Sequence, residues 1–379
     1  MRPDPRAPGL VSTLADAAEA LDRGRRGPGV EVQMLRTHGW LCAALPPAFG
    51  GQGWGIDAAG ASDGFAALFH LASVSLPATR LFEGHVNAVR LIDRHGTQAQ
   101  RERFFSDVRD GALLAIWGAQ GDRPARIAGE DHGLVLHGTK TFASGLGEVD
   151  YAIVTASDAH DRCQMVIVPA RDAHRLHGEA WDVAAMVGTC SGDFTLDHLA
   201  AGQEWQLGPP GALFVEPDFN GGVWRLCAGY AGAMTAVAEH ALRLCEERGL
   251  DQDPVTRQRL GQIAMHAQTA LLWAWQACCA LEMRTDLSPP GEGAVATSLF
   301  AREAIEAQAA AQIQLVERIG GTALHRRGSP LGRLLRDLRF FLRQAALDAK
   351  LDYALTIWRE RPRLMLDAVL GPGPVLPGC

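Results

Sequence analysis

The feature that most constrains the fold of this 379-residue chain is a change in hydrophobic periodicity from helical to strand-like and back. Up to about residue 110, apolar residues recur at helical spacing. From about 111 to 208, short apolar runs alternate with clusters of Gly, Asp and His, which is typical of β-strands. Long helical stripes return from about 220 to 358. Because helices and strands are segregated, the order argues against a Rossmann-like alternating fold.

This order predicts an α+β protein with three domains. We expect an N-terminal α-helical domain over residues 1–110, a middle β domain over 111–208 and a C-terminal helical bundle over 209–379. Three apolar stripes in the last region each predict one helix. The stripes are Met234–Cys245, Leu260–Leu281 and Leu331–Ala345.

Composition excludes several classes of function. The net charge of −7 and the pI of about 6.0 give no basic footprint for nucleic acid. No run of apolar residues is long enough to span a membrane, and Met1–Arg6 lacks the apolar run of a signal peptide. The eight cysteines form no CxxC pair, so we expect reduced thiols, a cytoplasmic location and no metal site.

A glycine-bounded segment, residues 138–145, lies between two strand-like runs, Gly133–His137 and Asp150–Ala156. Strands bounded by glycine predict a β-hairpin unit. If the segment is extended, Phe142 and Ser144 point to the same face, since side chains on a strand alternate. A flat apolar ring beside a hydroxyl donor suits a planar heterocycle.

Five short motifs occur in one order along the chain, and together they resemble the acyl-CoA dehydrogenase superfamily of flavoproteins. The resemblance covers most of the chain, from about Leu41 to Tyr353, and implies a β-barrel-like middle domain, a C-terminal four-helix bundle and an FAD cofactor. The motifs are Leu45–Gly51, Gly138–Gly145 with Lys140, Met186–Ser191 as a strand, Glu247-Arg248, and Ile319–Gly321 followed by Arg336–Arg339.

The resemblance assigns flavin contacts in the middle domain. Phe142 falls where the family places an aromatic ring against the isoalloxazine, and Ser144 where a hydroxyl donates near flavin N5. Trp117 and Gly118 fall where the family's backbone contacts the flavin pyrimidine, although the family's Thr-Glu-Pro type of segment is absent here. A hydrogen-bond donor near N5 would stabilise the reduced flavin, because the reduced flavin gains electron density there.

The resemblance assigns the other half of the cofactor to the C-terminal bundle. Arg248 falls where the family contacts the FAD pyrophosphate of a neighbouring subunit, and a guanidinium fork suits phosphate oxygens. Gly320 and Gly321 fall where the backbone approaches the ADP half. Cofactor sharing of this kind implies a homodimer or a homotetramer.

The catalytic base of the family is missing from its usual position. Counting nine residues from Arg336 gives Ala345, where straight-chain dehydrogenases have a glutamate. Asp348 lies one turn further along the predicted helix and is the candidate base. Glu216 and Asp218, just before the bundle, are further carboxylates that could substitute.

Three functions follow from the resemblance. The first is FAD-dependent α,β-dehydrogenation of an acyl thioester of CoA or a carrier protein, with electron-transfer flavoprotein as the acceptor. The second is an oxygen-using flavin oxidase or monooxygenase on the same scaffold, which the missing glutamate favours because a monooxygenase does not need it. The third is a non-catalytic FAD-binding subunit.

Overall fold

The computed structural model describes residues 3–130, 133–283, 291–343, 346–360 and 362. The chain begins with a helical region that packs around buried Trp40, Trp54 and Phe82. Its helices are α1 (Pro8–Asp22), α2 (Gly29–Thr37), α3 (Trp40–Ala43), α4 (Ala61–Ala72), α5 (Leu76–His95) and α6 (Gln98–Arg109).

Helix α5 connects this region to the sheet that follows. Ser75, the residue just before the helix, is its N-cap: its hydroxyl accepts a hydrogen bond from the Ala78 amide at 3.2 Å. Pro77 fits the first turn. At the middle of the helix, the buried His85 ring accepts from the Leu114 amide at 3.1 Å. Burial lowers the pKa of His85 to about 4, so the ring is neutral and can accept. This contact fixes the start of the first strand on α5.

The middle region is a curled arrangement of two sheets. The larger has seven strands, in the order β10-β6-β5-β2-β3-β9 with β1 parallel to β5, and the smaller is β4-β8-β7. The strands are β1 (Leu114–Trp117), β2 (Arg126–Glu130), β3 (Gly133–His137), β4 (Thr139–Lys140), β5 (Tyr151–Ser157), β6 (Cys163–Pro169), β7 (Leu176–His177), β8 (Asp193–Thr195), β9 (Leu199–Ala200) and β10 (Gln206–Leu207).

The predicted hairpin between Gly133–His137 and Asp150–Ala156 is wrong. Strand β3 pairs with β2 and β9, whereas β5 pairs with β6, β1 and the first residue of β2. The reason is visible at Gly138, which has a φ of 110° and where a Cβ would lie 2.6 Å from the Pro124 carbonyl oxygen. The chain turns out of the larger sheet there and enters the smaller one.

The C-terminal region is helical, as predicted. Its helices are α7 (Trp224–Glu247), α8 (Pro254–Glu282), α9 (Glu292–Gly320), α10 (Pro330–Phe341) and α11 (Leu347–Glu360). The third predicted helix is present as α10 but is shorter than the stripe indicates: it ends at Phe341, and Ala346 has a left-handed φ of 57°. Ala345, the end of the predicted stripe, lies outside the described residues. The order of helical, sheet and helical regions confirms the α+β fold, and the domain limits at residues 110 and 208 stay predictions.

A buried ionic cluster connects the N-terminal and C-terminal regions. Arg90 of α5 donates to Asp218 at 2.6 Å and to Glu282 at 2.8 and 2.9 Å. Arg225 and the Trp224 indole also donate to Glu282, at 3.2 and 3.0 Å. Burial alone would raise the pKa of Glu282, but Arg90 and Arg225 lower it below its ordinary value. Glu282 therefore remains ionised inside the protein. Within the described ranges, no helix is both long enough and apolar enough to cross a membrane.

Candidate flavin site

The segment that carries Phe142 and Ser144 is a turn, so the strand alternation predicted for it is wrong. Strand β4 ends at Lys140, and Phe142 has a left-handed φ of 53°. Backbone bonds from Ala143 to the Gly192 carbonyl and from Gly145 to the Thr189 carbonyl, at 2.9 and 2.8 Å, hold the turn. A non-glycine residue in this conformation is rare and marks a site where the surroundings impose the geometry.

Ser144 lies at the end of a chain of hydroxyl groups. The Ser191 hydroxyl is 3.3 Å from the Ser144 hydroxyl and 2.8 Å from that of Thr189. The Trp117 indole donates to the Ser144 carbonyl at 3.1 Å, which joins the end of β1 to the turn. The Met186–Ser191 motif that supplies this chain is not a strand, because Val187–Thr189 forms a 3₁₀ turn between two left-handed residues. The structure thus brings Trp117 and Ser144 together, and their contact with a flavin stays a prediction.

Gly118 and Lys140 complete this group. The backbone at Gly118, Ala119 and Gln120 is exposed, and a Cβ at Gly118 would meet nothing within 4 Å. Beneath it, the fully buried Lys140 ammonium donates to the Gly118 carbonyl at 3.0 Å. The surface above Gly118 is therefore open for close approach of a ligand to the backbone.

Phe142 belongs to an aromatic row that leads away from this group. Its ring is 62% exposed and meets Trp181 edge to face at 6.0 Å, and Trp181 meets Phe340 of α10 in the same way at 5.7 Å. Such pairs add about 0.5–1.5 kcal/mol beyond area burial. Phe142 therefore stays accessible to a ligand, while the ring contacts hold Trp181 and Phe340 in place.

One buried carboxylate ties the loop after Trp181 to α10. Asp337 is 4% exposed and accepts from the Met186 amide at 2.7 Å. Burial raises the pKa of Asp337 from 3.8 to about 6. A raised acid pKa means that the folded state binds more protons than the unfolded state between these values, so stability falls as the pH rises from about 4 to 6.

We expect Asp337→Asn to flatten that pH dependence. The Asn amide oxygen can still accept from the Met186 amide, and it carries no charge to be buried. At pH 7, the free energy of unfolding of the variant should therefore exceed that of wild type by up to about 3 kcal/mol. Urea unfolding at pH 4, 5, 6 and 7 measures the effect. A parallel loss of stability in both proteins between pH 4 and 6 would contradict it.

Arg248, Gly320 and Gly321 also lie together, at the ends of α7 and α9. The Arg248 guanidinium is 3.5 Å from the Gly320 carbonyl oxygen. Gly321 has a left-handed φ of 60°, and a Cβ at Gly320 would lie 2.4 Å from Leu324, so both positions favour glycine. The contact of these three residues with a cofactor stays a prediction.

The carboxylates near the start of the bundle have structural partners. Glu216 accepts from the Asn220 amide at 3.0 Å and from Gly221 at 3.2 Å, at the start of the turn that leads into α7. Asp218 is paired with Arg90 in the buried ionic cluster. Because Asp218 is engaged in an ion pair with Arg90 and Glu216 holds the start of a helix, neither is suited to a catalytic base.

Asp348 is exposed in the first turn of α11. Ala345 lies outside the described residues, and Asp348 lies in α11, which is separate from α10. Asp348 as the base stays a prediction.

Among the described residues, no group of three or more His, Cys, Asp and Glu side chains is arranged to hold a metal ion.

Sequence reasoning missed a polar face of α5 that borders Ser144. Arg80 lines a cavity of about 10 Å³ with Trp117 and Ser144. Its guanidinium donates to the buried Glu83 carboxylate at 2.7 Å, and Asn87 donates to the other oxygen. The signal was present as polar residues at positions i, i+3 and i+7 of α5. The face supplies an oriented cation beside the candidate site.

With this geometry in place, comparison with known proteins gives the family. The model of the acyl-CoA dehydrogenase N-terminal domain matches residues 10–112, and that of the C-terminal domain matches residues 211–342. The chain belongs to the acyl-CoA dehydrogenase family. The superfamily inferred from the motifs is thereby confirmed.

The chain is also similar to proteins that are named for two different activities. Dibenzothiophene monooxygenase of Rhodococcus qingshengii is 24% identical over 363 residues, covering 85% of this chain and 84% of that protein. TdsC from Paenibacillus sp. A11-2, solved with FMN and indole, has a TM-score of 0.78 at 19% identity, covering 93% and 95%. Butyryl-CoA dehydrogenase from Megasphaera elsdenii has a TM-score of 0.77 at 17% identity, covering 92% and 98%.

Proposed function

We propose that this acyl-CoA dehydrogenase family member is a flavin-dependent monooxygenase. The observation that carries the proposal concerns the candidate catalytic bases: the usual position holds no carboxylate, and two alternative carboxylates are engaged in other contacts. The usual base position is Ala345, and Glu216 and Asp218 are engaged in a helix start and a buried ion pair. Removal of an acyl α-proton needs a base, whereas oxygenation does not. The similarity to dibenzothiophene monooxygenase over most of the chain supports the same function.

The residues present fit a flavin. The exposed backbone at Gly118 and the exposed ring of Phe142 would contact the ring system, and Ser144 would donate near N5. When bound, the flavin supplies two-electron transfer from a reductant to O₂. FAD is the predicted form, with Arg248, Gly320 and Gly321 for its ADP half, and the FMN complex of TdsC makes FMN the form to compare.

Two assays distinguish the proposal from acyl-thioester dehydrogenation. The protein is loaded with FAD or with FMN and mixed anaerobically with a panel of acyl-CoAs, while the flavin band is followed. Separately, the chemically reduced loaded protein is mixed with ¹⁸O₂ and a panel of aromatic heterocycles. We expect no bleaching in the first assay and products carrying one ¹⁸O atom in the second.

Anaerobic bleaching by an acyl-CoA would overturn the proposal in favour of the dehydrogenase. It would also direct attention to Asp348, because Asp348→Asn should then abolish bleaching. Contact with electron-transfer flavoprotein, the acyl thioester substrate and a homodimer or homotetramer all stay predictions.

A further inference from the structure

Lys140 is a buried cation that has no carboxylate partner among the residues that the structure describes. It is one of two lysines in the chain and is fully buried. Its ammonium donates to the Gly118 carbonyl, the Thr155 carbonyl and the Thr155 hydroxyl, each at 3.0 Å. All three acceptors are neutral. A buried charge is costly unless its hydrogen bonds are satisfied, and here the three donors have three acceptors while the charge itself stays uncompensated.

The ammonium lies between the two segments that border the candidate flavin site. Lys140 ends β4 two residues before Phe142, and Gly118 directly follows Trp117 at the end of β1. The Thr155 hydroxyl donates to the same Gly118 carbonyl at 3.1 Å. The Thr141 amide donates to the Ala119 carbonyl at 3.4 Å, which holds the two segments side by side.

These contacts change the electrostatics of the exposed backbone. Two donors on the Gly118 carbonyl polarise the peptide unit between Gly118 and Ala119, which strengthens the Ala119 N–H as a donor. Ala119 is exposed, and its N–H has no partner within the described residues. The Lys140 charge adds a positive potential that solvent screens weakly, because the group is fully buried.

We propose that Lys140 is a positioning residue that makes the site bind reduced flavin more tightly than oxidised flavin. It holds the Gly118–Ala119 peptide in place as a donor, and its charge favours the more electron-rich form of the bound ring. Reduction adds two electrons, which the reductant supplies, and one proton from solvent, so the bound ring gains one negative charge. The inference rests on the proposed flavin binding and names a determinant of cofactor redox state that the motifs alone do not assign.

The test measures dissociation constants for oxidised and for dithionite-reduced flavin, anaerobically, in wild type and three variants. Lys140→Met removes charge and donors, Lys140→Gln removes the charge but keeps an amide donor, and Thr155→Val alters the same cluster while keeping the charge. We expect both lysine variants to lose about tenfold in the preference for reduced flavin. Thr155→Val removes one of the two donors to the Gly118 carbonyl but keeps the charge, so we expect it to lose less of that preference than either lysine variant.

The outcomes separate this inference from the proposed function. Failure of the wild type to bind either flavin form refutes the flavin proposal itself. Binding with the same preference in wild type, Lys140→Met and Lys140→Gln refutes the role of Lys140 alone. If neither lysine variant folds, the wild type decides, because equal or tighter binding of oxidised flavin contradicts the inference.

Discussion

Glu282→Ala is expected to lower the free energy of unfolding by about 3–5 kcal/mol. Residue Glu282 is 8% exposed. Its carboxylate accepts hydrogen bonds from three side chains: Arg90, Arg225 and Trp224. Its removal leaves two buried guanidinium groups with Asp218 as the remaining carboxylate of the cluster. An uncompensated buried charge costs far more than the lost attraction alone, because it cannot be solvated.

Urea unfolding followed by circular dichroism measures this effect. Glu19→Ala is a matched control, since Glu19 pairs with Arg23 at 2.6 Å on the surface and is expected to cost less than about 1 kcal/mol. Because Arg90 lies on α5 and Glu282 on α8, we also expect the two helical regions to lose stability together. A loss for Glu282→Ala no larger than that for Glu19→Ala would show that water reaches the cluster.

Ser144→Ala is expected to lower the rate of oxygenation by about 10²–10³, with little change in flavin affinity. The hydroxyl is placed by Ser191 and by the Trp117 bond to its own carbonyl, so its position is preorganised. A fixed donor near N5 stabilises the charge that changes during the reaction more than it stabilises the resting complex. The measurement is turnover with a substrate found in the ¹⁸O₂ screen, beside the flavin dissociation constant.

Two further variants make that result interpretable. Ser191→Ala removes the neighbour of Ser144 while keeping the Ser144 hydroxyl, so we expect a smaller loss of rate. Ser12→Ala, on the exposed side of α1, is expected to leave both quantities unchanged. A tenfold weakening of flavin binding in Ser144→Ala, with turnover of the bound fraction intact, would assign Ser144 to cofactor binding instead.

Short motifs name the residues of the candidate site, but its geometry does not follow from those motifs. The motif around Lys140 places Phe142 and Ser144 near each other in any conformation, because they are two residues apart. Whether they share a face depends on φ at Phe142, which contacts with the Thr189–Gly192 segment impose. Those contacts join residues about fifty positions apart, and no local pattern encodes them.

The roles of the acidic residues depended equally on distant partners. Glu216 and Asp218 looked alike in sequence, as carboxylates before a helix. In the structure, Glu216 accepts from amides within five residues of it, whereas Asp218 pairs with Arg90, 128 residues earlier. Local hydrogen-bonding chemistry accounts for the first, and only the packing of α5 against the C-terminal region accounts for the second.

The sequence by itself determined the order of helical, sheet and helical regions, and the family, because periodicity and motif order are local properties of the chain. It also determined that no glutamate stands at position 345. Tertiary structure alone decided the strand pairing, the break between α10 and α11, and the burial of Lys140 beneath Gly118. These features arise from long-range contacts, whose free energies depend on which surfaces meet and not on the residues of one segment.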